Sequence, residues 1–234
     1  MTSIADNISA VQQRVQDALH AAGRNADAVQ LLAVSKTKTV EAIRSAYAAG
    51  LTAFGENYLQ EAEAKIAALS EPLEWHFIGP LQSNKTRPAA ELFDWVHSVD
   101  RLKIAQRLAA QRPPQRPPLN ICLQVNIDRE PSKAGLLAEQ LSDVANAVAQ
   151  LPALRLRGLM AIPKPRSDSA GQRAAFAALR ELRDQLNIAL PALQASPMDT
   201  LSMGMSADLE AAIAEGATIV RVGSDIFGAR APLR

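Results

Sequence analysis

The chain has 234 residues, 48% hydrophobic and 21% charged, with 25 Lys and Arg against 24 Asp and Glu for a formal net charge of +1. That composition excludes intrinsic disorder, a collagen-like repeat and a disulfide scaffold. The balanced charge also lacks the basic surplus that nucleic-acid or anionic-membrane binding requires, so neither partner is expected.

Short β-branched or aromatic apolar runs alternate with longer Ala/Leu/Gln/Arg segments whose apolar residues recur at three- and four-residue spacing. A helix over residues 4–22 stops at Gly23, a strand follows over 29–35, and a helix over 40–49 closes on Gly50. Next come strand 53–55, helix 58–69, strand 75–78, helix 84–92, strand 95–98 and helix 101–111. The Pro-rich stretch 112–118 (RPPQRPP) suits an αβ loop rather than an interdomain linker, because the same alternation resumes beyond it. Strand 119–126, helix 137–151, strand 156–161, helix 169–190, a very short strand 200–202, helix 207–215 and strand 218–222 complete the order. Eight βα units in about 200 residues predict one closed parallel (β/α)8 barrel, the TIM-barrel architecture, with an extra N-terminal helix; a doubly wound open sheet is the alternative. Cys122 is the sole cysteine and His20, His76 and His97 are scattered, so neither an intrachain disulfide nor a zinc site is expected. With no secretory signal and no apolar run of about 18 residues, a soluble, reduced, cytoplasmic protein is predicted.

Barrel chemistry gathers where strands meet their following loops. In the first strand Leu32, Val34 and Lys36 share a face, which sets the Lys36 amine over the barrel mouth if the two apolar residues point inward. A desolvated lysine there can form a Schiff base with a carbonyl; the plainer alternative is a solvated lysine opening a loop. Arg221 lies inside an apolar run, where a guanidinium needs either a carboxylate partner or a ligand. Gly223 and Ser224 after it, and Ser202 and Gly204 after the seventh strand, form the pair of loops where barrels commonly hold phosphate. Ser206 suits the N-cap of the helix beginning at Ala207. Asn57 suits a polar ligand edge, and Glu56 either an acid or a partner for lysine. His76 within a strand reads as a packing histidine, and Met160 as a lining or packing residue. No dinucleotide glycine motif, phosphate loop or serine-hydrolase elbow is present.

The segments 31–38 (LLAVSKTK), 54–58 (FGENY), 75–85 (WHFIGPLQSNK), 157–163 (RGLMAIP), 201–206 (LSMGMS) and 220–228 (VRVGSDIFG) closely resemble the pyridoxal 5'-phosphate homeostasis proteins, over nearly the whole chain. The family resembles the N-terminal barrel of alanine racemase, the fold type III architecture. The resemblance implies that Lys36 carries the cofactor as a Schiff base and that Arg221 faces its pyridine nitrogen. It further implies that Ser202, Gly204, Gly223 and Ser224 surround the phosphate, and that Asn57 lies beside the ring. Racemases add a second domain that supplies a tyrosine acid/base. Here the eight units leave only residues 229–234, and neither Tyr47 nor Tyr58 is placed as that base. The implied role is a single-domain monomer over residues 1–234 that buffers or delivers the cofactor, with cofactor-dependent apoenzymes as partners. A racemase and a cofactor-free Schiff-base aldolase are the competing readings, and the aldolase leaves Arg221 unexplained.

Overall fold

In the computed structural model, which describes residues 3–189 and 197–228, helix α1 (Ile4–Ala21) starts at a capping box. The Ser3 hydroxyl accepts from the Asp6 amide and the Asp6 carboxylate accepts from the Ser3 amide. Ile8, Val11, Val15 and Leu19 recur at helical spacing and are buried, so α1 lies on the body of the molecule through one face.

The strands β1 (Gln30–Val34), β2 (Ala53–Glu56), β3 (Glu74–Phe77), β4 (Trp95–Val99), β5 (Leu119–Val125), β6 (Leu154–Ala161), β7 (Thr200–Met205) and β8 (Ile219–Val222) are parallel and pair in chain order. β8 returns to β1, with Leu32 opposite Arg221, and closes the barrel. Closure removes the open-sheet alternative. The helices α2 (Val40–Ala48), α3 (Leu59–Ala68), α4 (Thr86–Leu92), α5 (Leu102–Gln111), α6 (Leu141–Ala149), α7 (Ser169–Ala189), α8 (Leu209–Ala214) and α9 (Ser224–Phe227) follow the strands in turn.

Period two along each strand separates two cores. Outward residues such as Ala33, Phe54, Val96, Ile121, Leu159 and Val220 join Ile43, Ile104, Leu108 and Phe176 of the helices in one continuous shell. Each fully buried Val, Leu, Ile or Phe among them contributes about 1.5–3 kcal/mol. Inward residues form two small clusters, Leu32 with Ala53 and Ile219, and Trp95 with Cys122 and Met160. The rest of the barrel interior is polar, a feature taken up below. The 112–118 stretch is a loop: Arg112, itself buried, donates to the carbonyls of Ala90, Phe93 and Pro117 and pins it.

Several boundaries differ from the sequence prediction. The predicted helix 137–151 divides into a 3-10 turn, Ala138–Gln140, and α6. β7 is twice its predicted length, since after Thr200 the run LSMGM has no β-branched or aromatic residue to announce a strand. α8 begins two residues late, and Asp208 rather than Ser206 stands at its N-cap. Leu190 and residues 229–234 lie outside the described residues. Among the described residues no helix is long and apolar enough to cross a membrane.

Candidate functional site

A cavity of about 450 Å³ opens at the carboxyl ends of the strands. Lys36, Thr37 and Lys38 line it from the loop after β1, Asn57 from the end of β2, Ser206 from the loop after β7, and Arg221, Gly223 and Ser224 from β8 and its sequel. Lys36, Asn57, Arg221, Gly223 and Ser224, picked from the ends of β1, β2 and β8, are thus brought to one cavity. Tyr58 lines an adjoining groove that shares Asn57, and neither tyrosine lines the cavity.

Lys36 continues the inward face of β1: Leu32 packs inside the barrel, Val34 lines the cavity, and half-buried Lys36 stands above them. Its two neighbours are held from behind the sheet. Glu56 Oε1 accepts from Ser35 Oγ at 2.6 Å and from Lys65 Nζ at 2.7 Å, and Lys65 also donates to Ser35 O at 2.7 Å. Glu56 therefore answers to the lysine alternative. Burial raises its pKa despite the opposing hydrogen bonds from Lys65 and Ser35, consistent with its second oxygen being buried without a partner. On the other side Thr37 sits at φ 62°, a strained conformation for a β-branched residue, with its amide donating to the carboxylate of Glu61, which also pairs with Lys65. The next lysine, Lys38, donates to the carbonyls of Phe227 and Gly228 at 3.1 and 3.0 Å, joining the first loop to the last.

Arg221 is 4% exposed, and neither of its hydrogen-bond partners is a carboxylate. Nη1 donates to Ser202 Oγ at 2.7 Å and Nη2 to the carbonyl of Ala161 at 2.9 Å. Burial lowers its pKa to about 10, so it remains a cation at neutral pH. A guanidinium has five N–H donors, and these two anchors leave others for the cavity it lines. That bond leaves Ser202 fully buried beneath Arg221, off the cavity wall. Gly204 is not on the wall either. At φ 89° it turns its bare face to α8, where a Cβ would lie 2.5 Å from that of Ala212.

The serine that does reach the cavity from this loop is Ser206, whose hydroxyl makes no cap to α8. Its backbone is fixed from outside the barrel by Arg14 of α1, which donates to Ser206 O at 2.9 Å. The same guanidinium reaches Asp225 at 2.9 Å and Glu210 at 2.8 Å, so one side chain ties together the loops after β7 and β8. Asn7 adds a bond to Ile226 O at 3.0 Å.

The alanine racemase N-terminal domain family matches residues 3–231. The pyridoxal phosphate homeostasis protein of Pseudomonas aeruginosa is 63% identical over 231 residues, covering 98% of this chain and 97% of that protein. The chain belongs to the pyridoxal phosphate homeostasis protein family. The Escherichia coli K12 member is 50% identical over 236 residues, covering 98% of each chain. Among solved structures, PipY of Synechococcus elongatus with PLP bound is 40% identical, with a TM-score of 0.84 over 97% of this chain and 100% of that one. Alanine racemase from Corynebacterium glutamicum shares the barrel fold, with a TM-score of 0.72 at 16% identity over 99% of this chain and 63% of its own.

Thr37, Lys38, Ser206 and Arg14 were not singled out as site residues by sequence. Lys38 carries a signal, since it shares the period-two face of Lys36. Arg14 carries none: it stands on the outer part of an amphipathic helix, like any solvated arginine.

Proposed function

We propose that the cavity holds pyridoxal 5'-phosphate, joined covalently through the Lys36 amine, and that the protein buffers or delivers the cofactor in intracellular vitamin B6 homeostasis. The observation that carries this reading is that Lys36 and an anchored, buried Arg221 line one cavity together with Ser206, Gly223 and Ser224. The cavity lies within the usual size range for small-ligand pockets, about 300–1,000 Å³. Asn57 Oδ1 is buried there without a partner, an acceptor in want of a donor. The chemistry of these groups suits the cofactor: an amine for its aldehyde, hydroxyls and a close glycine backbone for its phosphate, and a donor for its ring nitrogen. When bound, the cofactor supplies an electrophilic carbonyl carbon and an electron-withdrawing ring.

Arg221 donates a hydrogen bond but has no basic site to exchange a proton with the ring nitrogen, so it favours the unprotonated, weakly electron-withdrawing ring. Such a site favours holding the cofactor over broad carbanion chemistry. Residues 1–234 act in this reading as one barrel domain, monomeric and cytoplasmic, with cofactor-dependent apoenzymes as recipients. The test is a spectrum of the purified protein after addition of pyridoxal 5'-phosphate. A visible absorption band abolished by borohydride, with the reduced adduct mapped by peptide mass spectrometry to Lys36 and lost in Lys36→Ala, is expected. A protein that takes up no cofactor, or an adduct on another lysine, overturns the reading. Transfer to an apoenzyme faster than release to solvent distinguishes delivery from storage.

A further inference from the structure

The barrel interior below the cavity holds polar side chains to which the proposed function assigns no role. They form a line from the amino ends of the strands to Arg221. Glu74 Oε2 lies 3.2 Å from His76 Nε2, His76 Nδ1 lies 2.9 Å from His97 Nε2, and His97 Nδ1 lies 2.8 Å from Ser202 Oγ. Ser202 Oγ in turn accepts from Arg221 Nη1 at 2.7 Å. His76, His97 and Ser202 are all 0% exposed, so water cannot complete their hydrogen bonding.

The Arg221 end dictates the polarity of the rest. A guanidinium donates and never accepts, so Ser202 Oγ must accept from Arg221 and give its single proton to its other partner, His97 Nδ1. His97 then carries its proton on Nε2 and donates to His76 Nδ1. His76 is left with its proton on Nε2, which lies 3.2 Å from the Glu74 carboxylate but outside hydrogen-bonding geometry. That carboxylate accepts instead from Gln30 Nε2 at 2.9 Å and Trp95 Nε1 at 2.8 Å.

We infer that His76, His97 and Ser202 form a one-way hydrogen-bond chain that positions Arg221, with both histidines protonated on Nε2 and accepting on Nδ1, and with the Glu74 carboxylate beside its far end. The consequence for the cofactor rests on the reading of the cavity given above. The reverse order would have His76 donate from Nδ1 and would turn His97 round. The Ser202 hydroxyl would then receive two donors, with neither partner left to take its own proton. A buried donor without an acceptor is costly, which favours the order in which Ser202 gives its proton to His97. Burial above all, with the Arg221 cation near by, holds His97 well below the usual imidazole range. With Nη1 on Ser202 and Nη2 on Ala161 O, the guanidinium is fixed at two corners before any ligand arrives.

The first test uses the ligand-free protein with isotope-labelled histidine and arginine. Long-range proton–nitrogen spectra at neutral pH should show both histidines as neutral Nε2–H tautomers, and a slowly exchanging Arg221 Nη proton that Ser202→Ala abolishes. An Nδ1–H tautomer or an imidazolium at either position overturns the chain. A folded Ser202→Ala protein whose Arg221 signals are unchanged overturns the positioning role. These spectra decide the matter whether or not pyridoxal 5'-phosphate is taken up, so they fail separately from the proposed function. In the loaded protein, Ser202→Ala should weaken cofactor affinity about tenfold and shift the visible band, and Ser202→Thr should restore both.

Discussion

Gly204 separates a packing role from a ligand role, because replacing it with alanine acts on the two in opposite ways. At φ 89° the residue occupies backbone space that costs an L side chain about 1–2 kcal/mol. The added Cβ would lie 2.5 Å from Ala212 Cβ and 3.5 Å from both Leu209 Cα and Val220 Cγ1. Carbon atoms pack at about 3.5–4.0 Å, so α8 has to retreat by about 1 Å. Overpacking of this kind costs about 1–3 kcal/mol. Gly204→Ala is accordingly expected to lose about 2–5 kcal/mol, or roughly 5–20 °C in Tm at this chain length. The loss should be present in full without cofactor. Thermal unfolding of the ligand-free variant, read by circular dichroism, measures it. Gly223→Ala is the control: at φ −119° it carries no backbone strain, and its Cβ would be 3.2 Å from Val34 O, a contact worth about 1 kcal/mol. An unchanged ligand-free Tm for Gly204→Ala, with cofactor affinity alone reduced, would refute the packing assignment and return Gly204 to the phosphate.

Arg14→Ala should cost about 1–2 kcal/mol of stability, since its ion pairs are part-exposed, and should weaken cofactor binding several-fold by releasing the loops at Ser206 and Asp225; titration of the variant checks this. Lys65→Met leaves the Glu56 carboxyl buried without its cation and should cost about 3 kcal/mol, part of it recovered by adding Glu56→Gln, as denaturant unfolding of the single and double variants would reveal. Glu74, first through His76 3.2 Å away, has its pKa lowered from 4.5 to about 2. Its contribution is therefore complete above pH 4.5 and disappears as pH falls through about 2. The full shift would be worth about 3 kcal/mol, and with the side chain 39% exposed about 1–2 kcal/mol is expected. Glu74→Gln should thus lower stability by that amount at pH 7 and converge with the parent near pH 2, a difference followed by unfolding at a series of pH values.

The inward face of β1 is legible in sequence because period two survives without interruption from Leu32 to Lys36. Arg221 is legible for a related reason, being a cation within an apolar run that must have a purpose. Ser202 and Gly204 are not legible in the same way, because the depth of a residue in a barrel depends on strand stagger. Ser202 pairs with Ile219, one inward position below Arg221, while Met205 pairs with Arg221. Three steps along β7 therefore oppose two along β8, and the period-two rule breaks between them. Past that break it is Ser206 that reaches the cavity. The two histidines fail to announce themselves for another reason: each alone looks like a packed core residue, and the 2.9 Å contact between them exists only once β3 and β4 lie side by side. The left-handed Thr37 carries no sequence mark either, since its conformation is imposed by Glu61 across the loop.

With a net charge of +1, long-range attraction cannot gather an anion here, so affinity must come from groups fixed beforehand at the cavity. The structure fixes them from opposite sides. The loop of Lys36 is held from outside the barrel by Glu56, Lys65 and Glu61, and Arg221 from inside by Ser202 and Ala161. Arg14 clamps the two loops opposite, again from outside. Ordering a lysine or arginine side chain at the moment of binding costs about 0.5–1.5 kcal/mol each, and anchoring by existing partners moves that cost into folding. The polar barrel interior then has a reason. An apolar filling would stabilise the fold as well or better, but it would leave Arg221 without the acceptor that holds it at the wall.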